Sequence, residues 1–181
     1  MVGGAKIYVE GGSDSDKTRS VCRQGFSKLL RSLGFEGRMP KIIACGGRRE
    51  TFEDFVNACN QSTEAFIALL VDSEDPMTDI EQPWNHLRQR QGDEWIPPAG
   101  VTDDQAQLMV TCMETWLIAD RIAIRRVCGS GLIERHLPFF DLENRTRKKQ
   151  VFDKLVAATK NCDKRYSKGD ISFAILAEVD P

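Results

Sequence analysis

Several sequence features are missing from this chain, and each absence narrows what the protein can be. No apolar run approaches the roughly 20 residues needed to cross a bilayer. The first six residues lack the architecture of a signal peptide, so we expect a cytoplasmic protein with no membrane partner. The chain also lacks the Gly-x-Gly-x-x-Gly and Gly-Lys-Ser/Thr patterns, which argues against a nucleotide-cofactor site.

Cysteine and histidine are present, but not in metal-binding patterns. The six cysteines form no Cys-x-x-Cys pair, and neither His86 nor His136 is at ligand spacing from a cysteine. A zinc site therefore has little support, and we expect both histidines to be structural or exposed. Cysteines scattered through apolar sequence indicate buried free thiols in a reducing cytosol.

Length and composition are those of an ordinary globular protein. The 181 residues are most simply one domain, long enough to bury a sizeable core. Hydrophobic residues make up 41% of the chain and charged residues 29%. A net charge of -2 argues against wholesale wrapping of nucleic acid, but leaves room for a local basic patch.

Short apolar runs alternate with helical periodicity in the first half of the chain. The pattern predicts strands over 5–10, 41–45 and 65–71. A capped helix should start within 13–16 and stop near Gly34, and a second should span 51–60. This β-α-β-α-β order predicts an α/β fold with a mostly parallel sheet and helices on both faces.

The second half begins with a segment rich in proline and tryptophan. We interpret residues 76–104 as an insertion, a long loop with a short helix near 84–90. A fourth strand is predicted over 105–113 and helices over 116–127 and 145–159, followed by an apolar stretch over 171–179.

Carboxylates follow two of the predicted strands, and this is the most informative feature of the sequence. Glu10 ends the first strand, while Asp72 and Glu74 follow the third. Parallel strands with right-handed crossovers bring their carboxyl ends to one edge, where such sheets bind ligands. Acids gathered there repel one another unless a cation lies between them, and Mg²⁺ or Mn²⁺ accepts carboxylate oxygens. The simpler alternative is a polar loop, in which Asp and Ser are ordinary turn residues.

Five further residues are candidates for the same edge. Gly11 and Gly12 would let the backbone approach a phosphate, although a tight turn also needs glycine. Arg48 would hold a phosphate, or is a surface arginine balanced by nearby acids. Glu114 could belong to the site as a further metal ligand or as a base. The alternative is a carboxylate that stabilises the start of a helix. Lys168 is the basic residue that we expect closest to the site.

Basic residues accumulate in the second half of the chain. They are Arg121, Arg125, Arg126, Arg145, Arg147, Lys148, Lys149, Lys160, Lys164, Arg165 and Lys168. A solvated helix face is the usual explanation. The alternative is a track for the phosphate backbone of a nucleic acid that leads to the acids.

The acid-tipped strands resemble Toprim domains, which occur in topoisomerases, primases and OLD-type nucleases. The matching residues are Glu10-Gly11 and Asp72-Ser73-Glu74. The resemblance implies a compact Rossmann-like sheet of about four strands and Mg²⁺-dependent phosphodiester chemistry. It assigns acid–base or metal work to Glu10 and metal binding to Asp72 and Glu74. Glu74 departs from the usual Asp-x-Asp, which leaves open whether one or two ions bind.

Nearly the whole chain resembles a small Toprim-like family that includes the AbiL-type abortive infection proteins. Five motifs carry this resemblance in order, at 8–12, 44–48, 71–74, 113–120 and 166–169. The resemblance implies a phage-defence role beside a neighbouring AAA/ABC-type ATPase.

Acid placement and resemblance together predict a Mg²⁺-dependent nuclease acting on DNA or RNA, with self-association possible. The predicted site divides into metal ligands (Glu10, Asp72, Glu74), catalytic residues (Glu10, Glu114, Lys168) and phosphate contacts (Arg48, Gly11, Gly12).

Two other classes of function remain open at this point. One is a non-catalytic module that binds an ATPase through exposed Trp84 and Trp95. The other is a phosphohydrolase or nucleotidyl-transfer enzyme that acts on a small substrate and needs no basic track.

Overall fold

The computed structural model describes residues 3–12, 15–61, 65–145 and 147–180. Within these ranges the β-strands are β1 (Gly3–Glu10), β2 (Lys41–Gly46), β3 (Ala65–Asp72) and β4 (Ala106–Met109). The α-helices there are α1 (Asp16–Ser32), α2 (Arg48–Gln61), α3 (Pro83–Gln89), α4 (Met113–Ala119), α5 (Arg121–Cys128), α6 (Asp153–Ala158) and α7 (Asp170–Leu176). None of these helices is long and apolar enough to cross a membrane.

The four strands form one parallel sheet in the order β2-β1-β3-β4. This confirms the predicted α/β class and a Rossmann-like arrangement of about four strands. Because β1 lies between β2 and β3, the carboxyl ends of the first three strands are neighbours at one edge. That edge is where the strand-end acids lie.

Helices cover both faces of the sheet, as predicted. Alternate strand residues point to opposite faces, so Val9 and Ile42 join a core with α1, α4, α5, α6 and α7. Tyr8 and Leu69 join a second core with α2 and α3. All six cysteines are free thiols, and five of them are buried.

The start of α1 is capped by Ser15, whose hydroxyl accepts a hydrogen bond from the Thr18 amide at 3.1 Å. Residues 13 and 14, where the sequence places the beginning of this helix, lie outside the described residues. The α2 helix begins at Arg48, three residues earlier than expected, directly after the turn that ends β2.

The proline- and tryptophan-rich segment is packed against the sheet. The alternative of an ATPase-binding module required its tryptophans to be exposed. The short helix near 84–90 is confirmed as α3. Trp84 and Trp95 are only 4% and 8% exposed. Phe52 of α2 stacks on Trp95 with ring centroids 4.3 Å apart, and Phe55 lies against Trp84. The tryptophans are therefore core residues that cover one face of the sheet.

Two predictions for the region after this segment were wrong. The fourth strand ends at Met109, and Met113 and Glu114 begin α4 instead of closing the strand. The single helix predicted over 116–127 is two helices, because Asp120 leaves helical geometry and caps α5 through bonds from the amides of Ile122 and Ala123.

The C-terminal part adds two helical regions to the first core. The helix predicted over 145–159 consists of a π-helical segment, Arg147–Phe152, followed by α6; residue 146 lies outside the described residues. The apolar stretch after Lys168 forms α7, which packs on α1. Gly25 allows this close approach, since a Cβ there would lie 2.8 Å from the carbonyl oxygen of Phe173.

Candidate active site

Three carboxylates converge at the carboxyl edge of the sheet. Glu10 is the last residue of β1, Asp72 is the last residue of β3, and Glu74 lies two residues further on. Each offers one carboxylate oxygen, and these oxygens all lie within 4.8 Å of one another. The predicted meeting of the three acids is therefore observed, and metal binding by them stays a prediction.

The spacing of the three acids fits a hard divalent cation. Octahedral Mg²⁺ with ligands at 2.0–2.1 Å places adjacent oxygens about 2.9 Å apart and opposite oxygens about 4.1 Å apart, so an inward shift of the carboxylates from their spacing within 4.8 Å would bring them to such a set. Asp72 is already oriented, because its Oδ1 accepts a hydrogen bond from the Met113 amide at 2.8 Å. Like charges held this close at a partly buried edge favour a cation between them.

The loop that carries Glu74 is fixed in an unusual conformation. Glu74 has a φ of 67°, a left-handed conformation that is uncommon for residues other than glycine. Its amide donates to the Thr111 carbonyl at 2.8 Å, and the Ser73 amide donates to Met109 at 2.9 Å. His86 Nε2 is 2.9 Å from the Ser73 carbonyl oxygen, which gives this histidine a structural role. Such strain at a loop tip is typical of functional sites.

Arg48, the first residue of α2, lies beside the acids and is extensively bonded. Its Nη1 donates to Glu10 Oε2 at 3.1 Å and to the Asp72 carbonyl at 2.6 Å. Its Nε and Nη2 donate to the two carboxylate oxygens of Asp93 at 2.8 and 2.6 Å. A phosphate would have to replace one of these bonds, and the phosphate-binding role of Arg48 stays a prediction.

The environment of Arg48 keeps its guanidinium charged. Burial acts to lower its pKa, but the hydrogen bond to Asp93 and the charges of Glu10, Asp93 and Glu74 outweigh burial and raise it. Trp95 also lies under the guanidinium, 4.9 Å from Cζ to the ring centroid. The 76–104 segment thus reaches the edge of the site through both Asp93 and Trp95.

A cleft of about 460 Å³ opens beside the acids. It is lined by Glu10, Gly11, Gly12, Thr18, Gly46, Gly47, Asp72, Met109, Met113, Glu114, Lys168, Gly169, Ser172 and Phe173. Six of the eight predicted site residues line it, while Arg48 and Glu74 lie outside its lining. Its volume is within the range of small-ligand pockets.

Glu114 lines the cleft from α4, and Lys168 lines it from the loop that precedes α7. Glu114 is buried near the start of α4 and accepts a hydrogen bond from the Tyr166 hydroxyl at 2.7 Å. Lys168 Nζ lies 3.9 Å from the same Oε1 and is 57% exposed by side chain. Burial, followed by the neighbouring Glu114 charge, raises the pKa of Tyr166. The tyrosine therefore stays a hydrogen-bond donor to Glu114.

The two glycines after Glu10 are explained first by packing. Gly11 and Gly12 have φ values of 136° and 91°. A Cβ at Gly11 would lie 2.9 Å from Phe173 Cζ, and one at Gly12 would lie 2.8 Å from Arg19 Cα. The Gly11 amide donates to the Gly46 carbonyl at 2.8 Å, so a phosphate would compete with that bond. Their phosphate-binding role stays a prediction.

The basic residues before Lys168 are in part committed to protein contacts. Arg121 donates to the Pro138 carbonyl and stacks on Phe139, and Arg145 donates to the Phe140 carbonyl. A nucleic-acid track that includes these residues stays a prediction, whereas Lys168 lines the cleft beside the acids as expected.

Sequence reasoning missed two residues that shape this site. Asp93 lies in a polar stretch of the insertion that resembles an ordinary loop, and only the tryptophan two residues later hints at packing there. Tyr166 belongs to the motif at 166–169, but its bond to Glu114 spans 52 residues and has no local pattern in the sequence.

Comparison with known proteins identifies the family of the chain. The family described as "Domain of unknown function (DUF4276)" matches residues 9–181, and the chain belongs to that family. No curated protein and no solved structure matches it.

Proposed function

We propose that this member of the DUF4276 family is a metal-dependent nuclease that hydrolyses phosphodiester bonds in DNA or RNA. The observation that carries the proposal is the meeting of Glu10, Asp72 and Glu74 within 4.8 Å at the edge of a parallel sheet. Acids in such an arrangement, beside a cleft that also contains a lysine, suit the handling of phosphate through a cation.

The three carboxylates would hold Mg²⁺ or Mn²⁺ by their oxygens. When bound, such an ion polarises a phosphoryl oxygen and lowers the pKa of a coordinated water. Glu10 and Asp72 belong both to the acid triad and to the cleft lining. Of the two, Glu10 would accept a proton from the attacking water, the acid–base role that the Toprim resemblance implies for it. Lys168, on the same cleft, would stabilise negative charge that develops on the phosphate.

Glu114 is suited to orient Lys168 in this scheme. Its buried carboxylate is held by Tyr166 and lies 3.9 Å from the lysine ammonium. A fixed carboxylate at this distance attracts the ammonium and would hold it on the side of the cleft where Glu114 lies. Glu114 remains a candidate for a further ligand or base as well, because it lines the same cleft as Asp72.

Resemblance to Toprim nucleases supports the same chemistry. The motifs that carry the resemblance, around Glu10 and around Asp72, are the segments that the fold brings together. We extend the proposal to a cytoplasmic phage-defence effector that works with an AAA/ABC-type ATPase, as the AbiL-type resemblance implies.

A nuclease assay on purified protein tests the proposal. Single- and double-stranded DNA and RNA are incubated with Mg²⁺ or Mn²⁺, with EDTA as the blank, alone and with the neighbouring ATPase. We expect cation-dependent cleavage that Glu10→Gln and Asp72→Asn each reduce by at least about 100-fold, as expected for loss of a group that stabilises the transition state.

The matched control is Glu36→Gln, which removes an exposed acid beyond the end of α1 and should cleave like the wild type. Cleavage that persists in a Glu10→Gln/Asp72→Asn double variant would overturn the proposal.

The size of the cleft favours one second candidate, a phosphohydrolase of a small substrate. A volume of about 460 Å³ accommodates a mononucleotide-sized ligand. Cation-dependent hydrolysis of bis(p-nitrophenyl) phosphate without cleavage of any polynucleotide would identify this activity. The alternative of an ATPase-binding module loses its suggested contact surface, because Trp84 and Trp95 are buried.

A further inference from the structure

Asp93 is an almost completely buried carboxylate that lies next to the acid triad without belonging to it. Its side chain is 2% exposed and grips the Arg48 guanidinium through two bonds, at 2.8 and 2.6 Å. We call this pair the Arg48–Asp93 clamp. Arg48 in turn donates to Glu10, one of the three carboxylates of the triad.

The position of Arg48 poses an electrostatic problem for a cation site. A guanidinium bonded to Glu10 repels a divalent cation that approaches the same carboxylate, and partial burial strengthens that repulsion. Asp93 supplies one negative charge at bonding distance from Arg48. The clamp is therefore neutral as a unit, and Asp93 offsets much of the repulsion that Arg48 would exert on a cation at the triad.

A second ion pair keeps the surroundings of the clamp balanced. Arg90 Nη1 lies 3.3 Å from Asp93, and Arg90 Nε lies 3.2 Å from Asp75. Arg48, Arg90, Asp93 and Asp75 thus sum to zero charge. Because Arg90 has Asp75 as its own counter-ion, Asp93 is not needed to neutralise Arg90, and its charge compensates Arg48.

We propose that Asp93 sets the cation affinity of the Glu10–Asp72–Glu74 site by neutralising Arg48. Asp93 is a positioning residue in this scheme: it acts through Arg48 and contacts no reacting group. The 76–104 segment is then a working part of the site, which it completes by packing Trp95 against Arg48 and Phe52. The inference rests on the proposed function, since it presumes that the triad binds a cation.

Calorimetric titration of the full chain with Mn²⁺ at fixed ionic strength tests this role. Asp93→Asn should weaken Mn²⁺ binding roughly 10- to 100-fold, the effect expected when a residue behind a metal ligand is lost. Asp93→Asn combined with Arg48→Gln removes both charges and should recover most of that loss. A role in packing alone would instead make the double variant bind as weakly as Asp93→Asn or worse.

Two more variants complete the test. Asp104→Asn removes an exposed acid of the same segment and should leave Mn²⁺ binding unchanged. Arg48→Gln alone should bind Mn²⁺ at least as tightly as the wild type, because a repelling charge is gone. Circular dichroism shows which variants are folded. If Asp93→Asn does not fold, the Mn²⁺ affinity of Arg48→Gln tests the proposal instead. Weaker Mn²⁺ binding by Arg48→Gln than by the wild type would overturn it.

The outcomes separate this proposal from the proposed function. A wild-type protein that binds no Mn²⁺ overturns both. Two results would overturn only the role of Asp93 and leave the proposed function standing. One is a wild type that binds Mn²⁺ with the same affinity as folded Asp93→Asn. The other is a double variant that binds Mn²⁺ no more tightly than Asp93→Asn.

Discussion

At Glu74, the stability of the fold and the affinity for a cation should respond to substitution in opposite directions. A residue with a side chain at a φ of 67° is strained by about 1–2 kcal/mol relative to glycine, and the carboxylate adds repulsion from Glu10 and Asp72. We predict that Glu74→Gly leaves the free energy of unfolding unchanged or raises it by about 1 kcal/mol, while Mn²⁺ affinity falls. Urea denaturation and Mn²⁺ titration measure the two effects.

Asp141→Gly is the matched control for Glu74. Asp141 also has a positive φ, 60°, but is exposed and stands outside the acid triad. It should show the same relief of strain without any change in Mn²⁺ affinity. A Glu74→Gly protein that is clearly less stable than the wild type, yet binds Mn²⁺ normally, would contradict the assignment of this residue.

The hydrogen bond between Tyr166 and Glu114 gives a prediction that does not depend on a metal. Tyr166→Phe keeps the ring, which packs edge-on against Phe152 with centroids 5.7 Å apart, and removes only the donor. The buried Glu114 carboxylate then loses its closest partner. We expect a loss of about 1–3 kcal/mol in the free energy of unfolding, the cost of an unsatisfied buried acceptor, measured by urea denaturation at neutral pH.

Glu114→Gln tests whether the charge or the acceptor matters at this position. The amide oxygen can still accept from Tyr166, so in this background Tyr166→Phe should cost less than it does beside a carboxylate. Equal costs in both backgrounds would show that the Glu114 charge does not contribute to the effect.

At the scale of elements, Asp120 decides where one helix ends and the next begins. Its Oδ1 accepts from the amides of Ile122 and Ala123 at 2.9 and 3.0 Å, and its Oδ2 accepts from Asp180 at 3.0 Å. Asp120→Ala should therefore lower the free energy of unfolding by about 1–2 kcal/mol, the usual cost of a lost N-cap. Asp120→Asn keeps a good capping oxygen and should cost much less, so equal losses in thermal melts would contradict this role.

The strands could be predicted because their sequence signal is local. Each of the first three is a short apolar run bounded by turn residues, and near-continuous burial on two faces follows from that pattern. The α4–α5 break was missed because Trp116–Val127 keeps a helical apolar period through Asp120. A capping residue inside a periodic run is visible only in the structure.

The residues of the candidate site that follow strands could be predicted from the sequence. A residue that reaches the site through long-range packing could not. Glu10, Asp72 and Glu74 follow strands, so sheet topology alone brings them together. Asp93 reaches Arg48 across 45 residues through a segment whose packing depends on Trp84 and Trp95. Nothing local marks that contact, because the tryptophans have no periodic pattern to assign them to a core.

At the scale of the whole molecule, the two cores on opposite faces of the sheet both contain thiols that must remain protonated. Burial raises the pKa of Cys22 in the first core to about 12, and burial followed by the Asp54 charge does the same for Cys45 in the second. Both values start from 9.0 in an unperturbed thiol. The free energy of unfolding therefore depends on pH in the alkaline range, because these buried thiols resist ionisation.

The sign of this coupling follows from the raised pKa values. Below pH 9 the thiols are protonated in both the folded and the unfolded state, so the free energy of unfolding keeps its full value. As the pH rises towards 12 the free energy of unfolding falls, because only the thiols of the unfolded chain ionise. For the fully buried Cys22, the loss between pH 8 and pH 10 is about 1.4 kcal/mol. Urea denaturation at the two pH values should show Cys22→Ala losing less stability than the wild type by about this amount. The control is Cys59→Ala, which removes a half-buried thiol and should change the pH dependence of stability less. A Cys22→Ala protein whose stability depends on pH as strongly as that of the wild type would contradict the role of this thiol.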